Sequence, residues 1–192
     1  IEWQAPRVAI DEQIASLAAP KGYLRLYGRE SIVSNFEQSL VARRQASFHV
    51  EASTCIEFEP ESFQQMAGLV AFYSTDSFYY LFLTHAPHSK KCLGLMRCER
   101  GNVSYPVEKE YPLDDCKRVF LKLEIENDRI RFFYSRTGES WTAVAWEQDA
   151  SILSDEHAVP CAFTGNFVGM ACQDLTGRRL HGDFDWFEYR EL

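Results

Sequence analysis

The chain has 192 residues, 46% of them hydrophobic and 25% charged, which suits one globular unit with a substantial core. Twenty-eight acidic residues against twenty basic ones give a net charge of −8, which disfavours a general nucleic-acid partner because such partners need a basic face. No apolar run approaches the ~18 residues of a membrane-spanning helix, so no membrane insertion is expected.

Residues 1–20 carry Pro6 and Pro20 around an Ala-rich middle and read as a connector, with one helical turn near residues 11–17. The first residues lack the basic start and apolar centre of a signal peptide. From residue 21 onward short strands alternate with turns. Residues 48–58 have period two: Phe48, Val50, Ala52, Thr54, Ile56 and Phe58 share one face, and His49, Glu51, Ser53 and Glu57 the other. Residues 66–74 and 78–84 are continuous apolar or aromatic runs joined through Ser74-Thr75-Asp76-Ser77, as expected of inner strands covered on two faces. Val119, Leu121, Leu123 and Ile125 alternate with Lys122 and Glu124, and Asn127-Asp128 then turns the chain into a hairpin partner over residues 129–135. A turn at residues 135–141 leads to a strand ending near Trp146. About twelve strands at this spacing predict an all-β sandwich of two antiparallel sheets.

The six cysteines, Cys55, Cys92, Cys98, Cys116, Cys161 and Cys172, are irregularly spaced, and no CxxC pair occurs. Several lie in apolar runs, where free Cys behaves as a small hydrophobe, so reduced thiols and a cytoplasmic setting are expected. Arg43-Arg44 and Lys90-Lys91 are too short to be basic tracts and read as solvated surface.

Six blocks carry a resemblance. They are Pro20-Lys21-Gly22-Tyr23-Leu24-Arg25-Leu26-Tyr27-Gly28-Arg29-Glu30-Ser31, then Gln38-Ser39-Leu40-Val41-Ala42-Arg43-Arg44-Gln45, then Phe63-Gln64-Gln65-Met66-Ala67-Gly68-Leu69-Val70. Asp149-Ala150-Ser151-Ile152-Leu153-Ser154-Asp155-Glu156, Phe163-Thr164-Gly165-Asn166-Phe167-Val168-Gly169-Met170 and Asp183-Phe184-Asp185-Trp186-Phe187-Glu188-Tyr189 complete the series. In this order, from residue 20 to the end, the chain resembles the C-terminal concanavalin A-like jelly-roll sandwich of glycoside hydrolase family 43 β-xylosidases. The resemblance implies that residues 1–20 lead from an upstream five-bladed propeller catalytic domain and that residues 21–192 form the sandwich packed on it. It implies inverting hydrolysis of xylo-oligosaccharides by an Asp base and a Glu acid that both belong to the propeller, so no catalytic residue is expected in this chain. It leaves xylose or arabinose preference and self-association open, since relatives often associate through their sandwiches.

The resemblance also implies that an aromatic of the segment Phe163-Thr164-Gly165-Asn166-Phe167 crosses the domain interface to wall the sugar pocket. Phe163 and Phe167 are both candidates, and Gly165 suits the turn between them. Sandwiches of this type often hold a structural calcium between the last strand and an early loop. Asp183 or Asp185 would be the late ligand and Glu30 or Glu59 the early one. No other cofactor is implied. Arg25, Arg29 and Arg43 lie in the matching blocks and are expected to pair with carboxylates across the interface.

Two other functions stay open. One is a free-standing carbohydrate-binding module for xylan-type glycans. The other is a jelly-roll hydrolase using Asp183, Asp185 and Glu188, in which a β-bulge brings Glu188 onto the face of the two aspartates.

Overall fold

The computed structural model of the chain describes residues 2–18, 20–107, 109–158 and 164–192. Among them run sixteen strands. The first eight are β1 (Trp3–Gln4), β2 (Ala15–Ser16), β3 (Leu24–Tyr27), β4 (Ser39–Arg44), β5 (His49–Glu57), β6 (Gln65–Ser74), β7 (Ser77–Ala86) and β8 (Ser89–Glu99). The rest are β9 (Asn102–Ser104), β10 (Tyr111–Pro112), β11 (Arg118–Glu126), β12 (Arg129–Ser135), β13 (Thr142–Ala143), β14 (Gln148–Asp149), β15 (Phe167–Asp174) and β16 (His181–Glu191). Among the described residues the helical structure is one 3-10 piece, Ala150–Leu153, capped by the Asp149 carboxylate on Ser151 N.

The strands form two antiparallel sheets. The first has the order β1-β4-β15-β6-β7-β8-β10, with β9 also on β8; the second runs β13-β12-β11-β5-β16-β3-β2, with β14 on β12. This is the expected two-sheet sandwich. The additional strands beyond about twelve are mostly two-residue pairings such as β1, β2 and β10, too short to show any period. Residues 11–15 make the expected helical turn, with Ala15 N bonded to Asp11 O at 2.9 Å. Residues 3–4 and 15–16 are strands of the first and second sheet respectively.

The inner faces supply one core. Val50, Ala52 and Ile56 of β5 and Val119, Leu121, Leu123 and Ile125 of β11 face Leu69 and Ala71 of β6 and Leu81 and Leu83 of β7 within it. Each such side chain contributes roughly 1.5–3 kcal/mol when fully buried, so the period-two pattern fixes the register of the second sheet. Asn127, at φ 56°, closes the β11–β12 hairpin, in a conformation asparagine tolerates well.

The first sheet has no polar face. Met66, Val70 and Phe72 of β6, and Phe78, Tyr80 and Phe82 of β7, form a second buried cluster on its outer side with Leu40, Met96 and Ile32. Trp146 differs from expectation: β13 ends at Ala143, and Trp146 is 92% exposed beyond it. Lys91, read as solvated surface, is instead buried. Its Nζ donates to Phe58 O at 3.2 Å and to Glu59 Oε1 at 2.5 Å, which meets the requirement that a buried charge be paired. The five described cysteines are unpaired, and burial pushes the Cys172 thiol up to about 12; Cys161 lies outside the described residues.

Two features make the fold testable. A Cβ on Gly169 would lie 2.2 Å from Val41 O and 2.4 Å from Ala42 Cα, both backbone of the neighbouring strand. Gly169→Val is therefore expected to lose about 1–3 kcal/mol or more by urea denaturation, because neither atom can move aside. The second feature is Asp174, whose Oδ1 accepts from Thr176 N and Oγ1 at 2.9 and 2.6 Å, and whose Oδ2 accepts from Leu180 N and Gln65 Nε2 at 2.8 and 3.2 Å. Burial pushes its pKa up, but these donors outweigh burial and hold it below the ordinary 3.8. Its stabilisation is thus present above pH 3.8 and lost as pH falls through the lower folded-state value. Asp174→Asn should be less stable at pH 7 by about 1–3 kcal/mol and should show a shallower acid loss than the parent in pH-dependent urea melts.

Candidate functional site

The segment expected to reach a sugar pocket lies at one end of the first sheet. Thr164, Gly165 and Asn166 lead into β15, and Gly165 has φ 69°, the left-handed conformation glycine adopts freely. Phe167 opens β15 opposite Arg44 on β4 and Phe72 on β6. It is half-buried at the margin of the outer apolar cluster. Phe163 lies outside the described residues.

Arg44 holds this turn from two sides. Its guanidinium carbon stacks 4.8 Å from the Phe167 ring centre, and its Nη1 donates to Thr164 O. Gln45 fastens the next residue, accepting from Asn166 Nδ2 at 2.8 Å while its own N donates to Asn166 O at 2.9 Å. The stretch before residue 159 is held as firmly. Tyr73 OH donates to Asp155 Oδ1 at 2.5 Å, and burial, then this bond, push its phenol pKa up. His157 Nε2 lies 3.1 Å from Glu99 Oε1, and Arg97 Nη2 donates to Glu99 Oε2 at 2.5 Å. Residues 155–157 and 164–167 are thus both anchored on strand ends of one sheet. Beside Phe167 opens a cavity of about 250 Å³ walled by Pro6, Leu40, Phe72 and Thr164.

Arg44, read as solvated surface, is exposed as expected and makes these two contacts in addition. Arg43 likewise stacks 4.1 Å over Tyr189. Neither partner is near in sequence, so a dipeptide of arginines carries no signal for either contact. Arg25 and Arg29 also differ from the expected cross-interface pairing: Arg25 binds Asp183 and Arg29 binds Glu37, both within this chain.

The carboxylates of the last strand lie on the outer side of the second sheet. The expected β-bulge is present between Phe184 and Trp186. Each carboxylate has its own guanidinium. Arg25 Nε and Nη2 grip Asp183 at 2.7 and 2.8 Å, Arg118 binds Asp185, and Arg190 Nη2 lies 2.8 and 2.9 Å from the two oxygens of Glu188. A hydrolase needs two carboxyl groups flanking a common gap, and these face separate arginines. The same pairing does not fit calcium, which would have to displace an arginine. Glu30 is taken up by Ser34 Oγ at 2.7 Å and Glu59 by Lys91. Among the described residues no three His, Cys, Asp or Glu side chains stand close enough to hold a metal ion.

Among the described residues, Phe167 thus stands on a stiff support at a strand end, and each carboxylate of the last strand faces its own arginine. The family described as the beta xylosidase C-terminal concanavalin A-like domain matches residues 1–190. The chain is 38% identical over 193 residues to the beta-xylosidase of Bacillus subtilis (strain 168), covering 100% of this chain and 36% of that protein. It is 36% identical over 194 residues to a putative beta-xylosidase of Escherichia coli (strain K12), again covering 100% and 36%. Among solved structures, a xylan beta-1,4-xylosidase from Bacillus halodurans C-125 superposes with TM-score 0.96 at 42% identity, over 99% of this chain and 37% of that one. The chain thus spans a little over a third of the length of these relatives, and it belongs to the family of β-xylosidase C-terminal concanavalin A-like domains.

Proposed function

We propose that this chain is the accessory domain of a xylan-degrading glycosidase. It packs on an upstream catalytic propeller and presents Phe167 or Phe163 at the rim of the sugar pocket, while hydrolysis of terminal xylose is carried out by carboxylates of that other domain. Coverage carries the reading: the whole of this chain matches 36% of a beta-xylosidase, and the acidic cluster of its last strand is taken up by Arg25, Arg118 and Arg190. The clamp around Phe167 supports it. An aromatic stacked on Arg44 and rooted in β15 loses little freedom when a pyranose packs on it, so more of the contact energy appears as affinity.

In the full-length protein, Phe163→Ala or Phe167→Ala is expected to lower kcat/KM on xylobiose about tenfold, equivalent to about 1.4 kcal/mol, at a temperature where each variant is folded by circular dichroism. If both variants keep the parent kcat/KM, the pocket-rim role fails. Arg44→Ala should give a smaller loss of the same kind, since it frees the Thr164 carbonyl and the ring without removing either. Titration calorimetry of this chain alone with xylohexaose should give no binding tighter than millimolar. Tighter binding would make it a carbohydrate-binding module instead.

A further inference from the structure

One large apolar groove lies away from Phe167. It opens where the two sheets part, between the edge strand β1 and its neighbours β4 and β15 in the first sheet and β16, β3 and β2 in the second, and has a volume of about 980 Å³. Its wall includes Trp3, Leu24 and Phe187, with Trp3 and Phe187 meeting edge to face at 5.0 Å. Core side chains of both sheets, Val41, Met170 and Phe184, form its depth. At its mouth stand Ile10, Leu17 and Trp186, which are 42%, 76% and 37% exposed. Asp11 and Glu12 mark one lip, and neither is in an ion pair among the described residues.

We propose that this groove is the seat of the upstream part of the same polypeptide, which lodges apolar side chains flanked by a basic residue between the two sheet edges. The proposal rests on the accessory-domain reading and adds where the docking occurs. Two observations select this occupant. The family is a C-terminal domain and the relatives extend well beyond it, with about two thirds of their length outside the matched stretch. The strand that carries Trp3 is β1, so a preceding chain reaches the groove within a few residues. A tether this short gives an effective concentration in the ~millimolar range, at which an open apolar groove suffices; a separate molecule would need a larger interface. The unpaired acids on the lip set the complementary charge.

The test uses the full-length protein and amide hydrogen exchange over residues 10–18. Leu17 and Ile10 project from the sandwich, so Leu17→Asp and Ile10→Asp leave its core intact. The parent should be protected over these residues at every protein concentration, and each variant should exchange at least tenfold faster there while remaining folded by circular dichroism. Equal, fast exchange in parent and variants overturns the proposal, as does protection that persists in both variants. Protection that fades on dilution, together with a falling mass by light scattering, also overturns it and assigns the groove to a second copy of the chain. The accessory reading fails separately: if Phe163→Ala and Phe167→Ala leave kcat/KM unchanged while the groove is protected, docking stands without the pocket role.

Discussion

Burial of both faces of the first sheet is the constraint on which the rest of the molecule depends. β6 and β7 alternate between the inter-sheet core and an outer aromatic cluster, so neither strand has a side that water can occupy. A sheet of this kind has to be closed by its own side chains. Phe72 and Phe78 stack at 6.0 Å, and Phe82 lies over Gly94, where a Cβ would come within 2.6 Å of its ring. Tyr80 is fully buried in the same layer and satisfies its hydroxyl on Ala171 O at 3.0 Å; burial pushes its pKa well above the ordinary value. Phe167 continues this layer at its margin. Phe167 is therefore held by a sheet that cannot flex without breaking a packed surface on each side.

The second sheet solves the opposite problem. Its outer face is a lattice of alternating charge in which Lys122 reaches Glu51 at 3.2 Å and Glu124 at 2.6 Å, and Arg131 reaches Glu124 at 3.2 Å. The lattice is partly buried, with Lys122, Glu51 and Glu124 only 13–20% exposed. Its effect is to match signs across neighbouring strands and to occupy the acids. The Asp183, Asp185 and Glu188 set belongs to this lattice, which is why a motif that looks acidic in one dimension presents no open carboxylate pair in three.

Much of this was legible in one dimension wherever a residue's fate depends on its immediate neighbours. The alternation in β5 and β11 and the apolar runs of β6 and β7 are set by burial alone, and the Asn127 turn by local backbone preference; all three appear in the structure as read, except that Phe48, placed on the inner face, precedes β5 and is 78% exposed. Partners distant in the chain left no trace. Arg44 is 120 residues from Thr164, Lys91 is 32 from Glu59, and Arg25 is 158 from Asp183. A short charged pair looks the same whether it ends in solvent or in the interior, so the burial of Lys91 left no mark in the sequence. Two-residue strands failed for another reason: β1 and β2 are defined by what they lie beside, and two positions hold no period.

The placement of apolar surface follows from these two solutions. The first sheet is sealed on both faces and the second is covered outside by paired charge. Exposed apolar side chains such as Trp146, Phe48 and Phe63 are scattered over the surface, and three more, Ile10, Leu17 and Trp186, stand together where the sheets part. The ten residues that bridge β1 and β2 leave that mouth open above Val41, Met170 and Phe184, whereas the turn before Phe167 is fastened by Arg44 and Gln45. The two ends of the sandwich therefore differ in kind: one is an apolar opening between sheets, and the other a polar clamp on a single strand end.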